Sequence, residues 1–121
     1  MTYVDGFVFV VARKNLEKYK KMARAGGKTW KKHGALHYKE CIGDDLHPAF
    51  VKLTFPKLVK LKPGETVWFS FITYRNKAHR DAVNKKVMSD PAMNDPQWKD
   101  KAMPFDMKRM SYGGFKVLVD L

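Results

Sequence analysis

The sequence contains a single cysteine, Cys41, in 121 residues. One thiol excludes an intramolecular disulfide framework and a zinc site built from several thiolates, and it is typical of a reducing compartment. Long apolar runs are also missing: the run from Phe7 to Ala12 is far shorter than the about 20 residues that a membrane-spanning helix needs. No basic segment precedes this run, as a signal peptide would require. We therefore predict a soluble, cytoplasmic protein that does not associate with membranes.

The signatures of several enzyme classes are missing as well. The chain has no phosphate-cradling Gly-rich loop, no Gly-x-Ser-x-Gly elbow, no His-Glu-x-x-His motif and no Cys-x-x-Cys pair. His33, His37 and Cys41 follow one another at intervals of four, but Gly34 separates the first from the other two. On a strand, His37 and Cys41 would lie about 13 Å apart at roughly 3.3 Å per residue, too far to share one ion. We predict no metal and no cofactor.

Acidic residues are scarce relative to basic ones. The 24 Lys and Arg outnumber the 12 Asp and Glu, giving a formal net charge of +12. Ten of the basic residues lie between Arg13 and Lys39, where Glu17 is the only acid. Such a patch favours polyanions, including nucleic acid. Its central members are Lys20, Lys21, Arg24, Lys28, Lys31 and Lys32. The competing interpretation is a solvated face, because lysines outnumber arginines 19 to 5 and Arg forks dominate specific phosphate and base contacts.

Apolar residues, in contrast, are abundant. The chain is 45% hydrophobic and 13% aromatic, which suffices for one core and predicts a single domain over residues 1–121. The strands predicted from pattern are residues 3–12, 35–42, 66–74 and 109–119. The first and third are apolar at consecutive positions, which indicates burial on both faces. Gly113 and Gly114, inside the last strand, indicate a bulge or a close contact.

A first helix is predicted over residues 16 to about 33, where apolar side chains recur at helical spacing opposite the basic face. Asn15 is a candidate N-cap, and Gly34 is placed to end the helix. Gly26 and Gly27 fall on or beside the apolar stripe. There they lower helix propensity by about 1 kcal/mol each but permit a neighbouring group to approach closely.

A second helix is predicted over residues 77–89, with Asn76 as its N-cap. Residues 50–62 alternate apolar side chains with lysines, so both an irregular arm and a short edge strand remain open. Asp95 and Pro96 have the pattern of an N-cap followed by an N1 proline, which predicts a short turn.

The order strand, helix, strand, strand, helix, strand is that of an α+β, ferredoxin-like protomer. In that fold a four-stranded antiparallel sheet carries two helices on one face. The first and third strands, however, have apolar side chains on both faces, and a large exposed apolar patch is unusual on a soluble monomer. The simplest cover for the second face is the same face of a second copy, so the pattern predicts a homodimer.

Several segments together resemble a known family. They are Tyr3-Val4-Asp5-Gly6-Phe7, His33-Gly34-Ala35-Leu36, Gly43-Asp44-Asp45, the stretch 68–91, Met103-Pro104-Phe105-Asp106, Lys108-Arg109-Met110 and Tyr112-Gly113-Gly114-Phe115. This set resembles the YbaA-like family of unknown function, which is placed in the dimeric α+β barrel superfamily. The resemblance implies a ferredoxin-like protomer whose sheet packs on another to close a barrel. It implies no particular reaction.

Four residues are candidates for binding a ligand: His37, Asp106, Arg109 and Tyr112. Arg109 offers a planar fork for a carboxylate or phosphate, and Asp106 would orient it or act as a general base if burial raised its pKa. The structural alternative is that Asp106 caps the turn and pairs with Arg109 to fix the start of the last strand.

Three functions stay open at this point. The leading one is a small-molecule binding protein or cofactor-independent enzyme, in which Arg109 holds an organic anion in a pocket between sheet and helices. The second is a polyanion or nucleic-acid binding module that uses the basic face of the first helix. The third is a structural dimer that serves the assembly of partners.

Overall fold

The computed structural model describes residues 2–94 and 104–121. Its strands are β1 (Tyr3–Ala12), β2 (His37–Ile42), β3 (Glu65–Tyr74) and β4 (Ser111–Lys116). Its helices are α1 (Leu16–Lys32), α2 (Phe55–Leu58) and α3 (Lys77–Met88). Short 3-10 turns cover Arg13–Asn15, Pro91–Asn94 and Met107–Arg109. Within this described part of the chain, no helix has the length and apolar character needed to cross a membrane.

The four strands form one antiparallel sheet in the order β2-β3-β1-β4. Together with the two long helices, this topology confirms the predicted α+β, ferredoxin-like protomer. Phe9 pairs with Trp68 and Phe7 with Ser70, so these four side chains point to the same face of the sheet. That face is the one covered by α1 and α3, and we call it the helix face.

Two apolar clusters attach the helices to the sheet. One consists of Tyr3, Ala35, Ile72, Tyr74, Val83 and Val87, and the other of Phe9, Val11, Tyr19, Ala23 and Trp68. Burial of one such large side chain contributes about 1.5–3 kcal/mol, so these clusters stabilise the packing of the helices on the sheet.

Within the described residues, the opposite face of the sheet, which we call the open face, is covered at one end only. Residues 44–62 fold back over that end, where they form a small cluster of Val10, Val59 and Val67 with Leu46 and Leu61 beside it. Of the two conformations predicted for residues 50–62, the structure has the irregular arm, with α2 as a single turn of helix. Elsewhere on this face apolar side chains are exposed, among them Phe69 at 41% and Phe115 at 61%.

Most of the predicted helix ends are confirmed. The Asn76 side chain caps α3 by accepting a hydrogen bond of 2.7 Å from the backbone N–H of His79. Gly34 follows α1 with a φ of 110°, a left-handed conformation that favours glycine. Asn15 stands at the N-cap position of α1, but its amide donates to the carbonyl of Pro104 at 3.4 Å instead of capping the helix.

The last strand is shorter than the pattern 109–119 predicts. Its ladder with β1 runs from Ser111 to Lys116, because the residues before it form a 3-10 turn. The ladder is continuous through Gly113 and Gly114, so these glycines do not form a bulge. The alternative prediction, a close contact, is confirmed. A Cβ at Gly114 would lie 2.9 Å from Cζ of Tyr3. The turn predicted at residues 95–96 lies outside the described residues.

Candidate functional site

A cavity of about 430 Å³ lies between the two long helices and the middle of the sheet. Most of its wall is aromatic or aliphatic, which is typical of a small-molecule site with a few placed polar groups. The aromatic side chains are Phe7, Phe9, Tyr19, Trp30, Tyr38 and Tyr112, and the polar ones are Asp5, Glu40, Ser70 and Asn84. The remaining described wall is formed by Ile72, Met88 and Met110.

Glu40 sits at the centre of the polar wall and accepts three hydrogen bonds. Its Oε1 accepts from the hydroxyl of Tyr19 and from Nε1 of Trp68, both at 2.8 Å, and its Oε2 accepts from the hydroxyl of Tyr38 at 2.7 Å. All three donors are neutral groups. Burial, followed by the charge of Glu40, raises the pKa of Tyr19 and Tyr38 far above the ordinary range, so both phenols stay protonated as donors.

Local sequence explains how Glu40 reaches the helix face. Tyr38 and Glu40 are two residues apart on β2, so both point to the same face, and Glu40 lies opposite Ser70 of β3. The Tyr38 ring packs against α1 at Gly27, where an added Cβ would be 2.7 Å from Cδ1 and Cε1 of the ring. This contact confirms the close approach that the glycine pair of α1 predicts.

A second polar group lines the other end of the cavity. Asp5 is 2% exposed, and its Oδ1 accepts hydrogen bonds of 3.0 Å from both Nη1 of Arg80 and the hydroxyl of Tyr112. Nη1 of Arg80 also donates to the Tyr112 hydroxyl at 2.6 Å, and its guanidinium lies over the ring of Tyr3, 5.0 Å from the ring centre. Burial raises the pKa of Asp5 although both partners act in the opposite direction.

A larger groove of about 780 Å³ adjoins the cavity and shares Tyr38 and Glu40 with it. Apolar side chains such as Trp68 and Ile42 form part of the groove wall. Basic residues of α1 also line the groove: Lys20, Arg24, Lys28 and Lys31. The Glu40 cluster therefore stands between an aromatic cavity and a groove with a strongly basic side.

The structure does not bring the four predicted ligand-binding residues together. Tyr112 lines the cavity. His37 points to the open face, where its Nδ1 lies 2.8 Å from the hydroxyl oxygen of Thr73. Asp106 caps the 3-10 turn that precedes β4 by accepting from the N–H of Lys108 at 2.9 Å. Binding of a ligand by His37, Asp106 or Arg109 stays a prediction.

Arg109 is engaged in a structural contact. Its Nη1 and Nη2 donate to the two carboxylate oxygens of Glu65 at 2.5 and 2.9 Å. Its Nη2 also donates to the carbonyls of Val59 and Lys60 at the end of the arm. The pair lowers the pKa of Glu65 and raises that of Arg109, because each charge stabilises the other. Arg109 thus pairs with an acid of β3 and not with Asp106.

Four polar residues of the cavity wall were not predicted from the sequence: Asp5, Glu40, Ser70 and Asn84. Arg80, which pairs with Asp5, was not predicted either. A signal for the two acids exists, since each stands two residues from an aromatic side chain on the same face of a strand. A charged side chain on the buried face of an apolar strand needs a hydrogen-bond or charge partner, so its presence indicates a polar site there. The sequence carries no comparable signal for Arg80, because its partner Asp5 is 75 residues away.

The predicted basic patch lies on the exposed side of α1, and part of it is engaged within the chain. Lys20 pairs with Glu17 at 3.3 Å, Lys31 donates to the carbonyl of Leu36 at 2.7 Å, and Lys32 lies 3.2 Å from Asp90. Lys21, Arg24 and Lys28 are exposed on the same helix. Polyanion binding by this surface stays a prediction. Among residues 2–94 and 104–121 no group of three potential metal ligands is found.

Comparison with solved structures supports the fold. Rv0793 from Mycobacterium tuberculosis superimposes with a TM-score of 0.57 at 12% identity, over 99% of this chain and 98% of that chain. A putative antibiotic biosynthesis monooxygenase from Nitrosomonas europaea gives 0.52 at 12% identity, over 97% and 90%. At this identity the likeness shows the shared ferredoxin-like α+β fold alone.

Sequence comparison shows the family. The chain is 42% identical to the uncharacterized protein YbaA of Escherichia coli K12 over 120 residues, which cover 99% of both chains. YbaA of Shigella flexneri matches to the same extent. Residues 2–107 match the family described as "Protein of unknown function (DUF1428)". The resemblance seen in the sequence is therefore confirmed, and the chain belongs to the DUF1428 family.

Proposed function

We propose that this protein binds a small molecule in the cavity between its helices and its sheet. The observation that carries the proposal is the Glu40 cluster, in which a carboxylate and three neutral donors are fixed in an aromatic wall. Ser70, which is 6% exposed, faces the same cavity beside Glu40. A volume of about 430 Å³ suits a ligand of drug or metabolite size.

The organic anion expected from the sequence would need another anchor in this cavity. Arg109 lines a separate depression with Glu65 and Asp106 and is held there by Glu65. The described wall of the cavity carries two acidic side chains, Asp5 and Glu40. The proposal is one of binding and assigns no reaction.

A homodimer is the second part of the proposal. The exposed part of the open face centres on Phe69, which contacts Phe71 at a ring distance of 5.8 Å, and extends to Phe115. A second copy packed on this face would remove these side chains from water. The fold type shared with the solved structures supports this arrangement. Cytoplasmic location stays a prediction.

A thermal-shift screen with a small-molecule library tests the binding proposal. A ligand present at about 100 times its Kd stabilises the folded protein by about 2.7 kcal/mol and raises Tm by several degrees. Ser70→Leu places a larger side chain in the cavity, so ligands that stabilise the wild type should lose their effect on this variant. Ser89→Leu makes the same change at an exposed site at the end of α3 and should leave the shifts unchanged. Equal shifts in both variants would place binding elsewhere and refute the proposal.

A further inference from the structure

We infer that the cavity selects an organic cation, a protonated amine on an aromatic or aliphatic body, with Glu40 as its counter-charge. This inference rests on the proposed function, because it names the class of ligand for the same cavity. It departs from the organic anion expected from the sequence. Three observations support it: the negative charge of Glu40, the aromatic rings near it, and an acceptor position of its carboxylate that no described residue uses.

The first argument is the charge of the wall. The hydrogen-bond partners of Glu40 are two phenols and an indole, none of which carries a positive charge. Asp5, at the other end, is compensated by Arg80 at 3.0 Å. Among the described residues that line the cavity there is no Lys or Arg. On the cavity side, within the described wall, a ligand cation would therefore supply a charge opposite to that of Glu40, whereas a ligand anion would face like charge.

The second argument is the set of rings around Glu40. Tyr19 stands edge-on to Trp68 with the ring centres 5.0 Å apart, and Trp30 stands 6.1 Å from Tyr38. Electron-rich Trp and Tyr faces attract cations that lie within about 6 Å of the ring centre. Aromatic walls with one carboxylate therefore favour alkylammonium groups over neutral groups of the same shape.

The third argument is hydrogen-bond capacity. A carboxylate has about four acceptor positions, and Glu40 uses three of them for Tyr19, Tyr38 and Trp68. One position is therefore left for a donor from a ligand. An ammonium group has donors and no acceptor, so it fits that position. A ligand carboxylate has only acceptors and would leave it unused.

The neighbouring groove favours a ligand of the opposite charge, an anion. Its basic residues Lys20, Arg24, Lys28 and Lys31 would attract an anion that lies on the outer side of Glu40. The experiment therefore compares three probes of similar shape and different charge: 2-phenylethylamine, 2-phenylethanol and 3-phenylpropionate. Binding to the wild type is measured by titration at pH 7, with the indole N–H signal of Trp68 as the readout because Trp68 donates to Glu40.

The protonated amine is expected to bind about tenfold more tightly than the alcohol, because both can donate a hydrogen bond to Glu40 but only the amine adds the attraction between opposite charges. Glu40→Gln should remove this preference while the alcohol still binds, which shows that the variant retains its cavity. Glu17→Gln removes the same charge from an exposed position of α1, where the side chain is 88% exposed, and should leave the preference intact.

The two proposals fail in different ways. If the propionate or the alcohol binds most tightly and shifts the Trp68 signal, the cation inference is overturned and small-molecule binding stands. A preference for the amine that survives Glu40→Gln overturns it as well. If none of the probes binds and the library gives no ligand sensitive to Ser70→Leu, small-molecule binding in this cavity fails together with the inference.

Discussion

Replacement of Arg80 by Met is expected to lower the free energy of unfolding by about 3–5 kcal/mol, because it leaves a buried charge without its partner. The Asp5 side chain is 3% exposed and that of Arg80 is 14% exposed, and their 3.0 Å pair is supported by the Tyr112 hydroxyl. Urea unfolding of the wild type and the variant measures the difference. Asp81→Asn is the matched control, since it removes only the exposed partner of Arg80 and should change stability by less than about 1 kcal/mol.

The pH dependence of this effect separates lost charge from lost packing. Burial already raises the pKa of Asp5 above its ordinary value of 3.8 in the folded protein, and loss of Arg80 raises it further. A raised carboxyl pKa destabilises the folded state at neutral pH, and the penalty disappears as the pH falls through the folded pKa. The deficit of Arg80→Met should therefore shrink between pH 7 and the acidic range. A deficit that is constant with pH would indicate a packing defect and contradict this account.

Phe69→Asp is expected to convert the proposed homodimer of 14.0 kDa chains into monomers without unfolding them. Phe69 lies in the middle of the open face, between Val8 of β1 and Cys41 of β2. In the protomer its side chain is 41% exposed, so a carboxylate there keeps its contact with water. In a dimer packed on this face, a carboxylate from each chain would be buried at a cost of several kcal/mol.

Sedimentation at micromolar concentration measures the mass of both forms. Ala78→Asp introduces the same charge at an exposed position in the first turn of α3 and should leave the dimer intact. A wild type that sediments as a stable single chain without aggregation would contradict the homodimer. So would a Phe69→Asp variant that remains as dimeric as the Ala78→Asp control.

Much of the fold could be predicted from the sequence because its signals are local. The apolar strands, the glycine after α1 and the Asn76 cap each depend on neighbouring residues. The end of β4 was placed too late, because the ladder with β1 stops at the pair of Lys116 and Tyr3, and the extent of that ladder depends on another strand. The conformation of residues 50–62, the arm over the open face, could not be decided from the sequence. Its contacts with Val10 and Val67 are set by the tertiary structure.

The candidate site was less predictable, because its groups meet through long-range contacts. Arg109 was a sound candidate for an anion anchor by chemistry, but Glu65 is 44 residues away and engages it in the folded chain. Tyr112 was a candidate because it stands next to the glycines of β4. Its partners Asp5 and Arg80 come from β1 and α3, and the sequence did not indicate them. Sequence spacing indicates which face a side chain occupies but not which residue of another strand or helix it meets.

Mapping of ligand-induced shifts in a two-dimensional NMR spectrum tests the central claim most directly. Ligands from the library should first move the indole signal of Trp68 and the backbone amides of Ser70 and Tyr38, which meet at the Glu40 cluster. Signals of Lys21 on the exposed side of α1 and of Phe115 on the open face should move little. Shifts confined to those two surfaces, with Trp68 and Ser70 unchanged at saturation, would contradict a ligand site between the helices and the sheet.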